Sequence, residues 1–277
     1  MGNSPTSSAL EDRASPPQAI GFNHHEFPSP FVITNERGDQ LSVTVILPTY
    51  NEAGSIRACI QGFEKLGIVD EIIVVNNNAH PNTTGQVAGT SALEVFESRQ
   101  GYGAAIQRGL SEATSDLLAV CEPDGTFEPY DLLKLLPFLS DCHFVVGSRT
   151  VTDFIYAGAN MGRLLRWGNW GVAKLTEVVY GSAYLSDVGC TFRVITREAY
   201  EAIQPEFKSR GSSFGFEMLL VAIRQRISMV QVPVRYYPRV GESSVTGSQI
   251  KAIRLGLVMI TMMFRMRFGR ARVGGTA

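Results

Sequence analysis

The stretch that decides the fold reads LLAVCEPDGTF and runs from Leu117 to Phe127. Leu117 to Cys121 is a short apolar run with the length of a buried strand. The proline and glycine of EPDG end that strand, so Glu122 and Asp124 are predicted to lie at its carboxyl end. In an open parallel sheet this edge is where ligands bind. Two carboxylates on such a turn favour a site for Mg²⁺ or Mn²⁺, although an ordinary acidic turn has the same appearance.

The segments on either side of this stretch alternate between strand and helix patterns. Apolar runs predict strands, and apolar residues at helical spacing predict helices over 55–66 and 101–113. Continuous Val and Ile runs separated by helices are typical of a mostly parallel sheet covered on both faces. The sequence therefore predicts an α/β fold with buried strands at 43–48, 71–75, 93–96, 117–121 and 143–147.

The pattern changes after Arg149. Helices are predicted over 160–180 and 214–226, and strands over 188–195 and 229–237. Pro233 cannot donate to a sheet ladder, so it favours an edge position or a bulge for the last strand.

Composition excludes several classes of protein. The formal net charge of -1 argues against a general nucleic-acid binder, which would show a basic excess. The 4 cysteines form no C-x-x-C pair, so a disulfide framework or a zinc site is not expected. Residues 1–40 are rich in Ser, Pro and Asn and predict a mobile leader. That leader has no apolar run of a signal peptide, so a cytoplasmic protein is expected.

The segment 247–277 predicts a basic amphipathic helix. Lys251, Arg254, Thr261 and Arg265 fall on one helical stripe, and most other residues of 249–268 are apolar. The charge-free run 255–264 would be about 15 Å long as a helix, which is too short for a hydrocarbon core of about 30 Å. Clustered arginines beside an apolar arc favour a helix on an anionic membrane surface. The alternative is a helix that packs on the domain or in a dimer. The clustered arginines at the end of this segment are Arg265, Arg267, Arg270 and Arg272.

Seven motifs, in order and at compatible spacing, resemble one family over about 43–268. They read LPTYNE (47–52), EIIVVNNN (71–78), GYGAAIQRGL (101–110), CEPDGTFEP (121–129), VVGSR (145–149), DVGCTFRVITREA (187–199) and VPVRYYPRVGESS (232–244). The chain resembles family 2 glycosyltransferases, which have the GT-A fold, and within them the polyprenyl-phosphate sugar transferases of the dolichol-phosphate mannose synthase type. The resemblance implies a GT-A domain over 41–246. It also implies transfer of a sugar from a nucleotide diphosphate sugar, with inversion of the anomeric centre.

The resemblance also implies a donor site. In the family's D-x-D motif, Asp124 matches the second acid and Glu122 stands in place of the first. These residues would hold Mg²⁺ or Mn²⁺, which stabilises the leaving diphosphate. Asn76 replaces an Asp that usually contacts the base, and this leaves the choice of base open. The other implied donor contacts are Pro48, Tyr50 and Glu52 along the base and ribose, and Gly101 and Gly103, whose backbone would approach the donor.

Three arginines, Arg149, Arg163 and Arg239, match family arginines that hold phosphates of donor or acceptor. Many hydroxyl-accepting members have a Glu-Asp pair near the start of the 214–226 helix, with the Asp as general base. Here that pair reads Glu217-Met218. A phosphate monoester is already ionised near neutral pH and needs no base, so Met218 favours a polyprenyl phosphate acceptor.

Other interpretations stay open at this point. Asp187 or Glu217 could act as base for a sugar hydroxyl in cell-surface polysaccharide or glycolipid synthesis. Arg193 could form a structural ion pair with Asp187. The departures at Asn76 and Glu122 also fit a non-catalytic nucleotide-sugar binding protein.

Overall fold

The computed structural model describes residues 33–34, 37–159, 161–182, 184–241 and 249–269. Most of the predicted leader, part of the 237–246 loop, and Arg270 and Arg272 lie outside the described residues.

A mixed sheet forms the centre of the protein. Within the described ranges it has seven strands in the order β3-β2-β1-β4-β6-β5-β7. All neighbouring strands are parallel except that β6 runs antiparallel to both β4 and β5. The strands are β1 (Val43–Thr49), β2 (Glu71–Asn76), β3 (Leu93–Phe96), β4 (Leu117–Val120), β5 (Phe144–Ser148), β6 (Arg193–Thr196) and β7 (Met229–Pro233).

Helices cover the sheet, which confirms the predicted α/β class. In the described part of the chain they are α1 (Ile56–Glu64), α2 (Thr83–Val87), α3 (Tyr102–Glu112), α4 (Leu132–Leu135), α5 (Arg163–Tyr180), α6 (Arg197–Ile203), α7 (Phe214–Arg224) and α8 (Gln249–Phe268). Short 3₁₀ turns occur at Pro129–Asp131, Leu136–Ser140, Thr152–Phe154 and Gln204–Glu206.

The central strands are apolar because both of their faces are covered. Every residue of β1 and β4 is buried, and the pairing of β1 places Val45 beside Ile72 of β2 and beside Ala119 of β4. This is the environment that continuous Val and Ile runs predict. The chain order reverses between β1 and β4, so the loops after these strands meet at a topological switch point, where open sheets bind ligands.

Two features of the second half differ from the expectations. The strand predicted over 188–195 begins only at Arg193 and runs antiparallel, which an apolar run cannot indicate by itself. The predicted strand 229–237 ends at Pro233. Its predicted edge position is confirmed, because β7 pairs with β5 alone and forms one end of the sheet.

Helix α8 packs with one face against the domain. Met263 is fully buried, and the Tyr180 hydroxyl of α5 donates to its carbonyl at 3.1 Å. The opposite face exposes large apolar side chains, namely Ile250, Ile253, Leu257, Phe264 and Phe268. The alternative of a packed helix therefore holds for one face of α8 only. Across the described residues, no helix has both the length and the hydropathy that a membrane crossing requires.

Candidate active site

The acidic turn after β4 is fixed by contacts from both sides of the switch point. The Ser55 hydroxyl, at the start of α1, donates to the Pro123 carbonyl at 2.6 Å. The Val240 amide donates to the Asp124 carbonyl at 2.8 Å. Gly125 has a φ of 79°, a conformation that favours glycine, and a Cβ there would lie 3.0 Å from Val240. The turn and the loop around residue 240 are therefore held side by side.

Asp124 is almost completely buried, with 1% of its side chain exposed. Its Oδ1 accepts from the Thr126 amide at 2.9 Å and from the Thr126 hydroxyl at 2.6 Å. Its Oδ2 has no aligned hydrogen bond among the described residues and contacts the Arg239 guanidinium as an ion pair. One carboxylate oxygen is thus oriented by its own turn, and the other faces a cation.

Arg239 brings three carboxylates together. Its guanidinium lies 3.1 Å from Glu122 and 3.7 Å from Glu52, in addition to its contact with Asp124. Glu52 is held by its own loop, because its Oε2 accepts from the Tyr50 and Asn51 amides at 2.7 and 2.8 Å. We call Glu52, Glu122, Asp124 and Arg239 the acidic centre.

The charges of the acidic centre perturb one another. Burial and the charge of Asp124 raise the pKa of Glu122 from 4.5 to about 8, although Arg239 opposes the shift. Burial lowers the pKa of Arg239, but the three carboxylates outweigh that effect and raise it overall. Burial and the neighbouring charge of Glu122 raise the pKa of Tyr102, the first residue of α3. Such mutual perturbation in a group of buried acids is typical of functional sites.

The acidic centre fits a divalent cation. Asp124 Oδ2 is buried without an aligned donor, and a guanidinium already occupies the position of a cation between the acids. No three His, Cys, Asp or Glu side chains are grouped as a complete metal site within the described ranges. Mg²⁺ commonly takes one or two protein carboxylates and completes its shell with substrate phosphates and water. Asp124 and Glu122 would supply the protein oxygens.

A second buried ion pair lies beyond the end of β5. Arg149 donates to both oxygens of Asp187, from Nε at 2.9 Å and from Nη2 at 3.0 Å. The amides of Arg149 and Gly189 and the Asn169 side chain also donate to this carboxylate. Burial raises the pKa of Asp187, but the charge and hydrogen bonds of Arg149 outweigh it and lower the pKa. We call this group the saturated pair.

The two carboxylates considered as general bases, Asp187 and Glu217, already accept hydrogen bonds from the protein. Asp187 already accepts the hydrogen bonds of the saturated pair. Glu217 Oε2 accepts from the amides of Lys208 and Ser209 at 3.1 and 2.7 Å, and Met218 is fully buried. The alternative of an Arg193–Asp187 ion pair is wrong, because Arg193 donates to the carbonyls of Cys190 and Gly215.

The predicted donor residues lie at or near the carboxyl ends of β1 and β2 and at the start of α3. Pro48 is buried in β1, and the side chain of Tyr50 is exposed. Asn76 ends β2, where its Nδ2 donates to Glu94 at 2.8 Å and its Oδ1 accepts from the Ala79 amide at 2.9 Å. Both polar ends of Asn76 are therefore engaged within the protein. Arg163 begins α5, but its side chain lies outside the described part.

The glycines at 101 and 103 make room for another part of the chain. A Cβ on Gly101, where φ is 149°, would lie 2.3 Å from the Arg210 carbonyl oxygen. A Cβ on Gly103 would lie 2.5 Å from Phe214. What approaches these glycines closely is thus the segment that leads into α7.

Three residues of the site escaped the sequence interpretation. Asn77 is buried and holds the loop before α3, since its Nδ2 donates to the carbonyls of Glu97 and Arg99 at 2.7 and 2.8 Å. Thr126 orients Asp124, and Tyr102 lies beside Glu122. Their positions were the available signal, because all three lie inside motifs quoted above.

Comparison with known proteins shows which family the chain resembles. The family model described as glycosyl transferase family 2 matches residues 44–204. The chain is 28% identical to the low-salt glycan biosynthesis hexosyltransferase Agl6 of Haloferax volcanii, over 74% of this chain and 50% of that protein. The chain thus spans about half of that relative. It is 25% identical to the undecaprenyl-phosphate mannosyltransferase of Micrococcus luteus, over 84% of this chain and 100% of that protein.

A solved structure confirms the predicted GT-A fold. Glucosyl-3-phosphoglycerate synthase from Mycobacterium tuberculosis superposes with a TM-score of 0.65 at 17% identity, over 84% of this chain and 82% of that one. That protein was crystallised with Mn²⁺, uridine diphosphate and glucosyl-3-phosphoglycerate.

Proposed function

The chain belongs to glycosyl transferase family 2, and we propose that it transfers a sugar from a nucleotide diphosphate sugar to a polyprenyl phosphate. The observation that carries the proposal is the acidic centre, where three carboxylates meet one cation at the switch point of the sheet. A nucleoside diphosphate leaves with negative charge, so it requires a cation held at this place. The name of the Micrococcus relative, an undecaprenyl-phosphate mannosyltransferase, supports a lipid phosphate acceptor.

We assign the metal to Asp124 and Glu122. Bound Mg²⁺ or Mn²⁺ would act as a Lewis acid for the charge on the leaving diphosphate. Thr126 holds Asp124 in orientation through two hydrogen bonds. The guanidinium of Arg239 is near enough to exchange its carboxylate partners for diphosphate oxygens, to which its planar fork is suited. Tyr50, Glu52, Asn76, Gly101 and Gly103, with Pro48, stay our candidates for the surroundings of the nucleotide.

The engagement of the nearby carboxylates favours a phosphate acceptor over a hydroxyl. Asp187 and Glu217 are occupied by hydrogen bonds, and Met218 has no acid to offer. An alcohol nucleophile needs a base for its proton, whereas a phosphate oxygen is already ionised near neutral pH. In the proposed step this oxygen bonds to the anomeric carbon as the bond to the nucleoside diphosphate breaks, which inverts that centre. Arg149 and Arg163 are our candidates for holding phosphate.

We further propose that the protein works on the cytoplasmic face of a membrane. The exposed apolar face of α8, with Arg265 and Arg267 at its end, supports a peripheral location. A polyprenyl phosphate has its reacting group at the membrane surface, so this location would place the acidic centre within its reach.

The test is an acceptor assay with purified protein, Mn²⁺ and a panel of labelled nucleotide diphosphate sugars. We expect label to enter the organic phase only with polyprenyl phosphate, and to be lost in Asp124→Asn and with a chelator. Transfer to a free sugar hydroxyl at comparable speed would overturn the acceptor. Binding of a donor without any turnover would instead favour a non-catalytic nucleotide-sugar binder.

A further inference from the structure

A second cleft lies on the side of the sheet away from the acidic centre. It has a volume of about 790 Å³ and is lined by the C-terminal ends of α5, α7 and α8 and by the first residues of β7. The acidic centre lies at the carboxyl ends of parallel strands, whereas Met229 and Val230, which line the cleft, begin β7. The cleft is therefore a separate site.

The lining of the cleft carries an excess of positive charge. Arg224, Arg226 and Arg267 line it, and its lining includes no Asp or Glu. Arg224 pairs with Glu206 at 3.0 Å, and Arg267 donates from Nε to the Val179 carbonyl at 3.0 Å. Arg226 is exposed and forms no ion pair with any described residue. Two of the three arginines thus lack a carboxylate partner within the described ranges.

The backbone of Arg226 adopts a conformation that is unfavourable for an arginine. It has a φ of 58° and ends α7 in a Schellman arrangement. The Arg226 amide donates to the Ile223 carbonyl at 3.1 Å, and the Ile227 amide donates to the Ala222 carbonyl at 2.9 Å. Glycine is the usual residue at this position. A strained arginine where glycine would fit the turn better points to a use for its side chain.

An unsatisfied hydroxyl provides an independent sign of a ligand. Ser182 lines the cleft, and its Oγ is buried without a hydrogen-bond partner among the described residues. Buried polar atoms are normally paired. A rotation of this side chain would let the hydroxyl donate to a phosphate oxygen in the cleft, and guanidinium groups bind phosphate through charge-assisted hydrogen bonds.

Exposed aromatic side chains occur in the lining of the cleft, at Tyr184, and next to it in sequence, at Phe268 after Arg267. Tyr184 is 92% exposed and Phe268 is 68% exposed. Lys174 lies over the rings of both Tyr184 and Trp170, at 5.7 and 6.0 Å from their centroids. Exposed aromatic rings next to basic side chains are typical of the headgroup level of a membrane.

We propose that this cleft binds the phosphate of an anionic phospholipid headgroup and so fixes the C-terminal end of α8 on the membrane surface. The inference builds on the membrane location advanced under Proposed function, but it does not depend on glycosyl transfer. A soluble phosphate compound presents the same chemistry, so the experiment separates the two sources.

The experiment measures binding of the full chain to vesicles of phosphatidylcholine, with and without phosphatidic acid. Arg226→Gly removes the side chain and relieves the strained backbone. Arg254→Gln is the matched control, because it removes one exposed charge of α8 that does not line the cleft. Loss of one charge near the surface lowers affinity about fivefold. For Arg226→Gly we expect a loss of more than tenfold, since it also removes charge-assisted hydrogen bonds.

Thermal unfolding and transfer activity complete the test. Arg226→Gly should unfold at a higher temperature than the wild type, so that weaker binding cannot come from misfolding. Equal losses in the two variants would show unspecific charge attraction and overturn the site. A thermal shift with glycerol phosphate that Arg226→Gly abolishes, without preference for phosphatidic acid, would overturn the lipid assignment. Failure to bind vesicles, with transfer in detergent intact, would overturn this inference alone.

Discussion

Two of the buried aspartate–arginine centres in the described part of the protein differ in how completely their hydrogen bonds are satisfied. In the saturated pair, Asp187 accepts from Arg149 at both oxygens and from further donors. In the acidic centre, one oxygen of Asp124 has no aligned hydrogen bond among the described residues and meets Arg239, whose guanidinium is divided among three carboxylates. The same two residue types thus form a closed arrangement in one place and an open one in the other.

This difference determines whether each carboxylate can bind a ligand or exchange its cation. A carboxylate with all its acceptor positions filled fixes the backbone around it and has nothing to offer a ligand. A carboxylate with an unfilled buried position, surrounded by acids that perturb one another, can exchange its cation. We therefore interpret Asp187 of the saturated pair as a positioning residue and the acidic centre as the place of chemistry. The same substitution, Asp to Asn, should separate them.

The largest expected effect is on turnover in Asp124→Asn. The change removes the charge that would hold the metal, and loss of several kcal/mol of transition-state stabilisation lowers turnover about 10³- to 10⁴-fold. Stability should stay the same or rise, because fewer acids then repel one another. Transfer assays and urea unfolding on the same preparation check both parts. A stability loss as large as that of Asp187→Asn would contradict the comparison.

Asp187→Asn should cost stability instead. It leaves Arg149, whose side chain is only 12% exposed, without its charge partner. Breaking a buried pair costs about 3 kcal/mol or more. Urea unfolding measures the loss, and the double variant Arg149→Met with Asp187→Asn is its control. If the double variant is no more stable than Asp187→Asn alone, the uncompensated charge is not the cause.

Arg239→Gln should act on activity and metal binding in opposite directions. Transfer should fall about 10- to 100-fold, because charge-assisted hydrogen bonds to the diphosphate are lost. Without donor, Mn²⁺ should bind more tightly, because the competing guanidinium is gone. Calorimetric titration of the metal checks this, and Arg239→Lys keeps the charge as a control. Unchanged metal affinity in Arg239→Gln would mean that Arg239 does not occupy the cation position.

The last expected effect is a pH dependence of stability in the metal-free protein. The pKa of Glu122 is raised from 4.5 to about 8, so between these values the native state holds a proton that the unfolded state lacks. Stability from this residue therefore falls as pH rises from about 4.5 to about 8. Urea unfolding at several pH values should show a flatter dependence in Glu122→Gln. Parallel curves for the two proteins would contradict the assignment.

The sequence predicted the first half of the fold well because its central strands share one property, which is burial on both faces. β1, β2 and β4 are buried on both faces, so their apolar runs mark them with few errors in their bounds. The antiparallel direction of β6 was not predictable, since strand direction depends on the connection and not on the run itself. The placement of α8 also depends on its partner, because an apolar arc favours a membrane and a neighbouring helix equally.

The sequence predicted which charged residues form the site, but it did not predict which of them pair with one another. The turn with Glu122 and Asp124 was predictable because Pro and Gly mark the end of a strand. The partner of Asp187 was not, because Arg149 and Arg193 are both arginines near strand ends and only the packing distinguishes them. Asn77 acts through backbone carbonyls and Thr126 through the carboxylate of Asp124, and neither contact can be inferred from residue type alone.

The antiparallel pairing of β5 with β6 has a consequence for how the protein can diversify. The two strands are neighbours, so the whole segment 149–192, with α5 inside it, is topologically the loop of a hairpin. Loops of this kind tolerate long insertions at small entropic cost. Residues can therefore be added in the exposed parts of this segment while the order of the strands and the acidic turn stay in place, whereas buried side chains such as Cys190 and Phe192 belong to the core.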